Sequence, residues 1–218
     1  MTLHILEDSL MIYMFLAPGF EEVEALAPLD LLRRAGLEVT TVAIRDAAYA
    51  ATLQHYRDIG TTATNLWSQD SLLVTGAHGI TVAADMAEDA FAKCLFGDFA
   101  PEAVILPGGM PGTTNLDASP VVEAALELAA AKGAYLCAIC AAPLVLGKRG
   151  YLIGKHATCF PGFEEYLTGA TVGGKVIRDG KIITAAGMGV AQEFGFEIIS
   201  ALVSPEKAGE IRSAIQSM

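Results

Sequence analysis

The chain has 218 residues, 53% of them hydrophobic and 18% charged, with a net charge of −11. That length fits one good-sized domain, and the composition is that of a globular chain with a large core, not a disordered one. The acidity is broken by no Lys/Arg cluster, so it works against nucleic-acid binding and fits a cytoplasmic protein.

Residues 1–8 carry neither a basic region nor the apolar run of a signal peptide. No stretch approaches the length of a membrane span, so no membrane association and a reducing cytoplasm are expected. Residues 12–17 form a continuous apolar run of strand length, ended by Pro18-Gly19. A helical pattern follows over 21–35, with Val23, Leu26, Ala27, Leu31 and Leu32 on one side and Pro28 inside it. Gly36 stops that helix, and 37–44 reads as a second strand. Two apolar strands around a helix open a parallel sheet buried on both faces.

The stretch 45–71 mixes Tyr49, Gln54, His55, Tyr56, Arg57, Asn65 and Trp67 with no clear period. It reads as an insertion in a single domain spanning 1–218, with a helix expected near 47–57 and a loop after it. Regular signals resume at Ile80-Thr81-Val82. Residues 103–106 are a third buried strand, broken by Pro107-Gly108-Gly109. An Ala/Leu-rich helix over 121–131 stops at Gly133, and 135–139 is the next buried strand. A helix begins over 142–146 and ends near Gly147. A hairpin is predicted from 171–178 and 181–185, turning at Asp179-Gly180. Helices over 192–203 and 205–216 close the chain, the last with Pro205 in its first turn.

Strands alternating with helices predict a three-layer α/β/α sandwich around a mostly parallel central sheet. Sites in such sheets form beyond the C-terminal ends of strands. The turns at Pro18-Gly19, at Pro107-Gly108-Gly109 and at Cys140 all lie at such ends.

Cys140 follows a buried strand and precedes a helix, with small residues on either side of its neighbours. This is the pattern of a nucleophile elbow, which lifts a side chain clear of the sheet. The following helix N-terminus is expected to favour thiolate and lower the thiol pKa below about 8.5. The Ala141 N–H faces the same place, and Gly108-Gly109 offers backbone donors for the other half of an oxyanion hole. Glu21, Glu22 and Glu24 open the first helix. For Glu21 and Glu22 a solvated face is the ordinary reading, whereas Glu24 lies beside the apolar Val23/Ala27 side and is placed to exchange a proton with a sulfur.

Four cysteines are present, Cys94, Cys137, Cys140 and Cys159. Cys137 and Cys140 form a C-x-x-C, but no second Cys/His pair at ligand spacing completes a metal site, and Cys137 reads as a buried strand residue. The histidines, His4, His55, His78 and His156, sit in no known base motif, and His156 reads as a surface residue.

Four stretches together resemble the DJ-one/ThiJ/PfpI superfamily, which shares the flavodoxin-like fold of class I glutamine amidotransferases. The first is Ala17-Pro18-Gly19-Phe20-Glu21-Glu22-Val23-Glu24, with Asp30 and Arg33-Arg34-Ala35-Gly36. The second is Leu106-Pro107-Gly108-Gly109 with Asn115-Leu116, and the third is Ala138-Ile139-Cys140-Ala141-Ala142-Pro143. The fourth is Gly187-Met188-Gly189 with Glu193-Phe194. The resemblance implies that Cys140 is an oxidation-prone nucleophile and Glu24 its protonated partner, with Gly109 and Ala141 as backbone donors. It also places Gly108, Arg34, His78 and Phe160 at the border of the site, Arg34 and His78 from within one chain or across a homodimer.

Three departures qualify the implied activity. Glyoxalase-active animal members carry a His before the Pro of the segment after the elbow, where this chain has Phe160 before Pro161. PfpI-type peptidases carry a His directly after the Cys, where Ala141 stands, so peptidase and amidotransferase chemistry rank last. The insertion and the first ten residues match nothing in the compact members. The expectation is a stress-protective protein with glutathione-independent glyoxalase or deglycase chemistry on 2-oxoaldehydes or their adducts, without cofactor or metal. The alternative is a non-enzymatic redox sensor or chaperone dimer acting through Cys140 oxidation.

Overall fold

The computed structural model describes residues 11–45, 72–97 and 99–217. The helix expected near 47–57, and the insertion beyond Arg45, lie outside those residues.

β1 (Ile12–Leu16) leads through α1 (Glu22–Arg34) to β2 (Val39–Ala43). A hairpin of β3 (Leu73–Thr75) and β4 (Thr81–Ala83) precedes β5 (Met86–Ala87) and α2 (Glu88–Cys94). β6 (Ala103–Leu106) is followed by α3 (Gly112–Ala118) and α4 (Pro120–Ala131), and β7 (Tyr135–Ile139) by α5 (Pro143–Lys148). β8 (His156–Ala157) and β9 (Thr171–Val172) come next, then β10 (Val176–Asp179) and β11 (Ile182–Ala185), then α6 (Ala191–Leu202) and α7 (Pro205–Ala214).

The central sheet has seven strands in the order β10-β11-β7-β6-β1-β2-β5. All neighbours run parallel except β10 and β11. The expected three-layer α/β/α architecture is therefore what the chain adopts. Inside the short edge strand β5, the parallel strands β2-β1-β6-β7-β11 run second, first, third, fourth, fifth in chain order, as in flavodoxin-like sheets.

Alternation explains the layers. Ile12, Met14 and Leu16 of β1 pack with Ala25, Leu31, Phe194 and Ile198, which puts α1, α6 and α7 on one face. Tyr13 and Phe15 point the other way, into Phe91, Leu116, Leu126 and Leu144 from α2 to α5. Every residue of β1, β6 and β11 is buried, as expected of strands covered on both sides. Gly195 lets α6 close on α1. A Cβ there would stand 2.9 Å from Leu31 Cδ1 and 3.1 Å from the Cα of Pro28.

The structure departs from the sequence pattern in several places. The buried side of α1 is Glu22, Glu24, Ala25, Pro28, Leu29, Leu31 and Leu32, while Val23 is exposed. The turn around which Asp179 pairs with Ile182 is Gly180-Lys181, one residue beyond the expected Asp179-Gly180, and Thr171–Val172 pairs with β8 instead of extending that hairpin. Gly147 lies inside α5, where a Cβ would collide with the Tyr166 carbonyl. β3, β5, α2 and α3 were not anticipated, because each is short and without a repeating pattern. Among the described residues no helix is long and apolar enough to cross a membrane.

Candidate active site

The chain reverses its winding direction at β1, whose neighbours are β2 and β6. The crevice beyond the C-terminal ends of β1, β6 and β7 is where a ligand site is expected. Each of these strands delivers one part of the candidate site.

β7 delivers Cys140. Its φ is +65°, which costs a non-glycine residue roughly 1–2 kcal/mol. Three hydrogen bonds hold that conformation. The Cys140 N–H donates to the Ala185 carbonyl at 2.8 Å, the Cys140 carbonyl accepts from the Phe160 N–H at 2.7 Å, and the Ala142 N–H donates to Ile139 O at 3.0 Å. Strain held this way, on a sharp strand-to-helix turn, fits a nucleophile elbow.

β1 delivers Glu24 by way of α1. The residue is 1% exposed, and its Oε2 accepts from the Gly108 N–H at 3.1 Å. Its carboxylate also hydrogen-bonds the Cys140 side chain and accepts from the Met188 N–H. β6 delivers Gly108 and Gly109, and the sulfur of Cys140 receives the backbone N–H groups of Gly109 and Ala141. Gly109 has φ +87°, and a Cβ on it would collide with the backbone at Gly19, Phe20 and Glu21. The Glu21 N–H closes the arrangement by donating to the Gly108 carbonyl at 2.9 Å.

The electrostatics reverse one expectation. The Cys140 thiol is not lowered but pushed up to about 12, by burial first and then by the charge and hydrogen bond of Glu24, with the Gly109 and Ala141 N–H groups acting against them. The helix that was to stabilise thiolate, α5, has six residues, and its partial charge is small beside a neighbouring carboxylate. Burial also raises Glu24, to about 7, where the hydrogen bonds from Cys140, Gly108 and Met188 oppose it. Two acids sharing one desolvated site titrate as a pair, and the loss of the first proton makes the second harder to remove. The Glu24–Cys140 pair therefore loses its first proton near neutrality and keeps the second. By contrast, burial alone pushes the inert Cys137 thiol far above its ordinary value.

The other residues named from sequence fall in different places. Phe160 is next to the site through its bond to Cys140. His78 sits in the turn of the β3–β4 hairpin, with Nδ1 3.1 Å from Glu22 Oε2 and 3.3 Å from Glu21 Oε2. Arg34 occupies the last turn of α1, the end away from Glu24, and pairs with Asp30 at 2.6 Å. Within one chain Arg34 does not border the site.

Glu22 was expected on a solvated face, yet it is 3% exposed. Its Oε1 accepts from the His78 N–H at 2.8 Å and the Ile80 N–H at 3.3 Å, so it fastens the hairpin to α1. Burial would raise this carboxyl, but the hydrogen bonds from its own backbone N–H, His78 and Ile80 hold it below the ordinary range. Sequence offered no signal for this role, because the partners come from a hairpin far along the chain. Among the described residues, Glu21, Glu22 and His78 are the group with ligand atoms close enough for a metal, within 4.8 Å of one another. The hydrogen bonds already made by Glu22 account for the cluster as a structural clamp.

Comparison with known proteins adds the family. The sequence model of the DJ-1/PfpI family matches residues 11–201. The chain is 32% identical over 203 residues to protein dj-1beta of Drosophila melanogaster, covering 92% of this chain and 93% of that one. It is 31% identical over 113 residues to the glutathione-independent glyoxalase DJR-1.2 of Caenorhabditis elegans, covering 50% of this chain and 60% of that one. The structure of oxidized Toxoplasma gondii DJ-1 superposes with a TM-score of 0.77 at 28% identity, covering 95% of this chain and 98% of that one.

Proposed function

Because the chain belongs to the DJ-1/PfpI family, we propose that it is a cysteine-dependent, glutathione-independent glyoxalase or deglycase acting on 2-oxoaldehydes or their adducts with thiols and amines. The observation that carries the reading is the contact between Glu24, a carboxyl raised to about 7, and the Cys140 sulfur facing two backbone N–H groups. The similarity to a relative named as a glyoxalase supports it.

In this reading Glu24 takes the Cys140 proton as the sulfur adds to the aldehyde carbon. A C–S bond forms, the C=O π bond breaks, and the oxygen recovers a proton to give a hemithioacetal. Glu24 then removes the hydrogen from that carbon and returns it to the neighbouring ketone carbon through an enediol, leaving a 2-hydroxy thioester. Water cleaves the thioester and restores the thiol. Methylglyoxal plus one water becomes lactate, with oxidation at one carbon balanced by reduction at the next. The N–H groups of Gly109 and Ala141 hold the developing oxyanion, the kind of contact whose loss costs about 10²–10³ in rate. A carboxyl titrating near neutrality suits the two-way proton traffic. Lactate formation from methylglyoxal by wild type and Cys140→Ala tests the reading, and equal background rates in the two would refute it.

The same donors favour a second reading, in which peroxide oxidises Cys140 to a sulfinate held by Gly109, Ala141 and the Glu24 proton. Mass spectrometry after mild peroxide should then show two added oxygens on Cys140 ahead of Cys94, Cys137 and Cys159. A homodimer belongs to both readings. Val23 and Ile80 are each about half exposed, one next to the buried Glu22 in sequence and the other hydrogen-bonded to it, and a second copy would cover them. Sedimentation of the protein with Val23→Asp should show a shift toward monomer.

A further inference from the structure

Glu21 is a charged neighbour of the polar pair Cys140 and Glu24, but large apolar side chains are exposed close by in the chain. Three large apolar side chains, Met110, Phe160 and Met188, are 50%, 47% and 53% exposed. Each is tied by backbone to the reacting pair. Met110 follows Gly109, whose N–H meets the Cys140 sulfur. The Phe160 N–H donates to the Cys140 carbonyl at 2.7 Å, and the Met188 N–H donates to the Glu24 carboxylate. The Phe160 ring leans over Gly187. A Cβ on that glycine would stand 3.2 Å from ring atom Cδ2 and 3.9 Å from Glu24 Oε1, so ring and carboxylate both border the place a side chain would take there.

Half-exposed apolar side chains are ordinary when scattered. Three that follow directly on the backbone groups holding the reacting pair offer a ligand at the sulfur apolar surface to cover. The cations expected near the site do not offset this, since Arg34 pairs with Asp30 and His78 with Glu21 and Glu22.

We propose that Met110, Phe160 and Met188 form an apolar subsite that selects neutral 2-oxoaldehydes with a flat apolar substituent on the ketone carbon, with Phe160 as its specificity-determining residue. This rests on the glyoxalase-type reading for its substrate class, and not for the existence of the subsite. An aryl group stacks on the Phe160 ring in the offset or edge geometry that aromatic pairs favour, with the methionine thioethers beside it. The ketone and aldehyde carbons then reach Glu24 and Cys140. Methylglyoxal has only a methyl group to place there and uses little of the surface.

Two measurements on wild type, Phe160→Ala and Phe160→Tyr test the proposal. The first is the ratio of kcat/KM for phenylglyoxal to that for methylglyoxal. The second is the ratio of Cys140 alkylation rates by N-phenylmaleimide and N-methylmaleimide, which needs no turnover. Both ratios should fall about tenfold in Phe160→Ala, the low end of what an apolar contact contributes to discrimination. Both should stay within about threefold of wild type in Phe160→Tyr, which keeps the ring. Ratios in Phe160→Ala within about twofold of wild type would overturn the subsite. If turnover of both aldehydes proves independent of Cys140, the glyoxalase reading fails, and the maleimide ratio alone decides the subsite.

Discussion

Glu24 and Cys140 touch because the residue between them has no side chain. A Cβ on Gly108 would stand 2.5 Å from Glu24 Oε2 and 2.6 Å from Cys140 Cβ. The same glycine donates its N–H to Glu24, so it both makes room for the carboxylate and aims it.

Gly108→Ala should therefore separate the pair. Inserting a methyl into a packed site costs about 1–3 kcal/mol, which thermal or denaturant unfolding would read. The step near pH 7 in the pH profile of Cys140 alkylation by iodoacetamide should then be lost, because it belongs to the paired acids. A variant that keeps the step would show that this contact is not what couples the two groups.

Stability should carry the mark of Glu24. Its carboxyl is raised to about 7 in the fold from an ordinary value of 4.5. Between those values the native state holds a proton that the unfolded chain has released, so stability falls as pH rises. The contribution is fully present below about pH 4.5, is lost by about pH 7, and amounts to about 3 kcal/mol. Glu24→Gln cannot titrate. The difference in unfolding free energy between wild type and Glu24→Gln should shift toward the variant by that order across the window. A difference independent of pH would rule out the raised carboxyl.

Glu22→Ala should loosen the β3–β4 hairpin. It strands the His78 and Ile80 N–H groups, a cost of about 1–3 kcal/mol. Amide exchange at His78 and Ile80 should quicken, while that of β6 and β7 follows only global stability. Because this carboxyl is held below its ordinary range, its contribution is present above about pH 4.5 and fades as the pH falls through the lowered value. Relative to the intrinsic exchange rate at each pH, hairpin protection in the wild type should therefore fall in acid.

How much of this was legible in the sequence depended on whether a feature was local. The runs 12–17, 103–106 and 135–139 are apolar without alternation, so they announced buried parallel strands, and the turns after them marked the edge where the site forms. Cys140 was legible for the same reason, since an elbow is written in adjacent residues. Glu24 was legible only as a carboxylate beside an apolar stripe, and the stripe itself was drawn with Val23 inside when it is outside. The sign of the Cys140 shift was not legible. It depends on burial and on a carboxylate brought from α1, and both outweigh the short helix that sequence could see. The clamp of Glu22 on His78 and Ile80 was hidden likewise. β3 has three residues, too few to show a period.

The central claim is that Glu24 and Cys140 titrate as a pair, with a first proton lost near neutrality. The most direct test is the rate of Cys140 alkylation by iodoacetamide from pH 5 to 10, in wild type and Glu24→Gln. The account predicts a rise with a midpoint near 7 in wild type, from which that step is missing in Glu24→Gln. A wild-type profile that rises only where an ordinary thiol ionises, or an unchanged midpoint in Glu24→Gln, would contradict it.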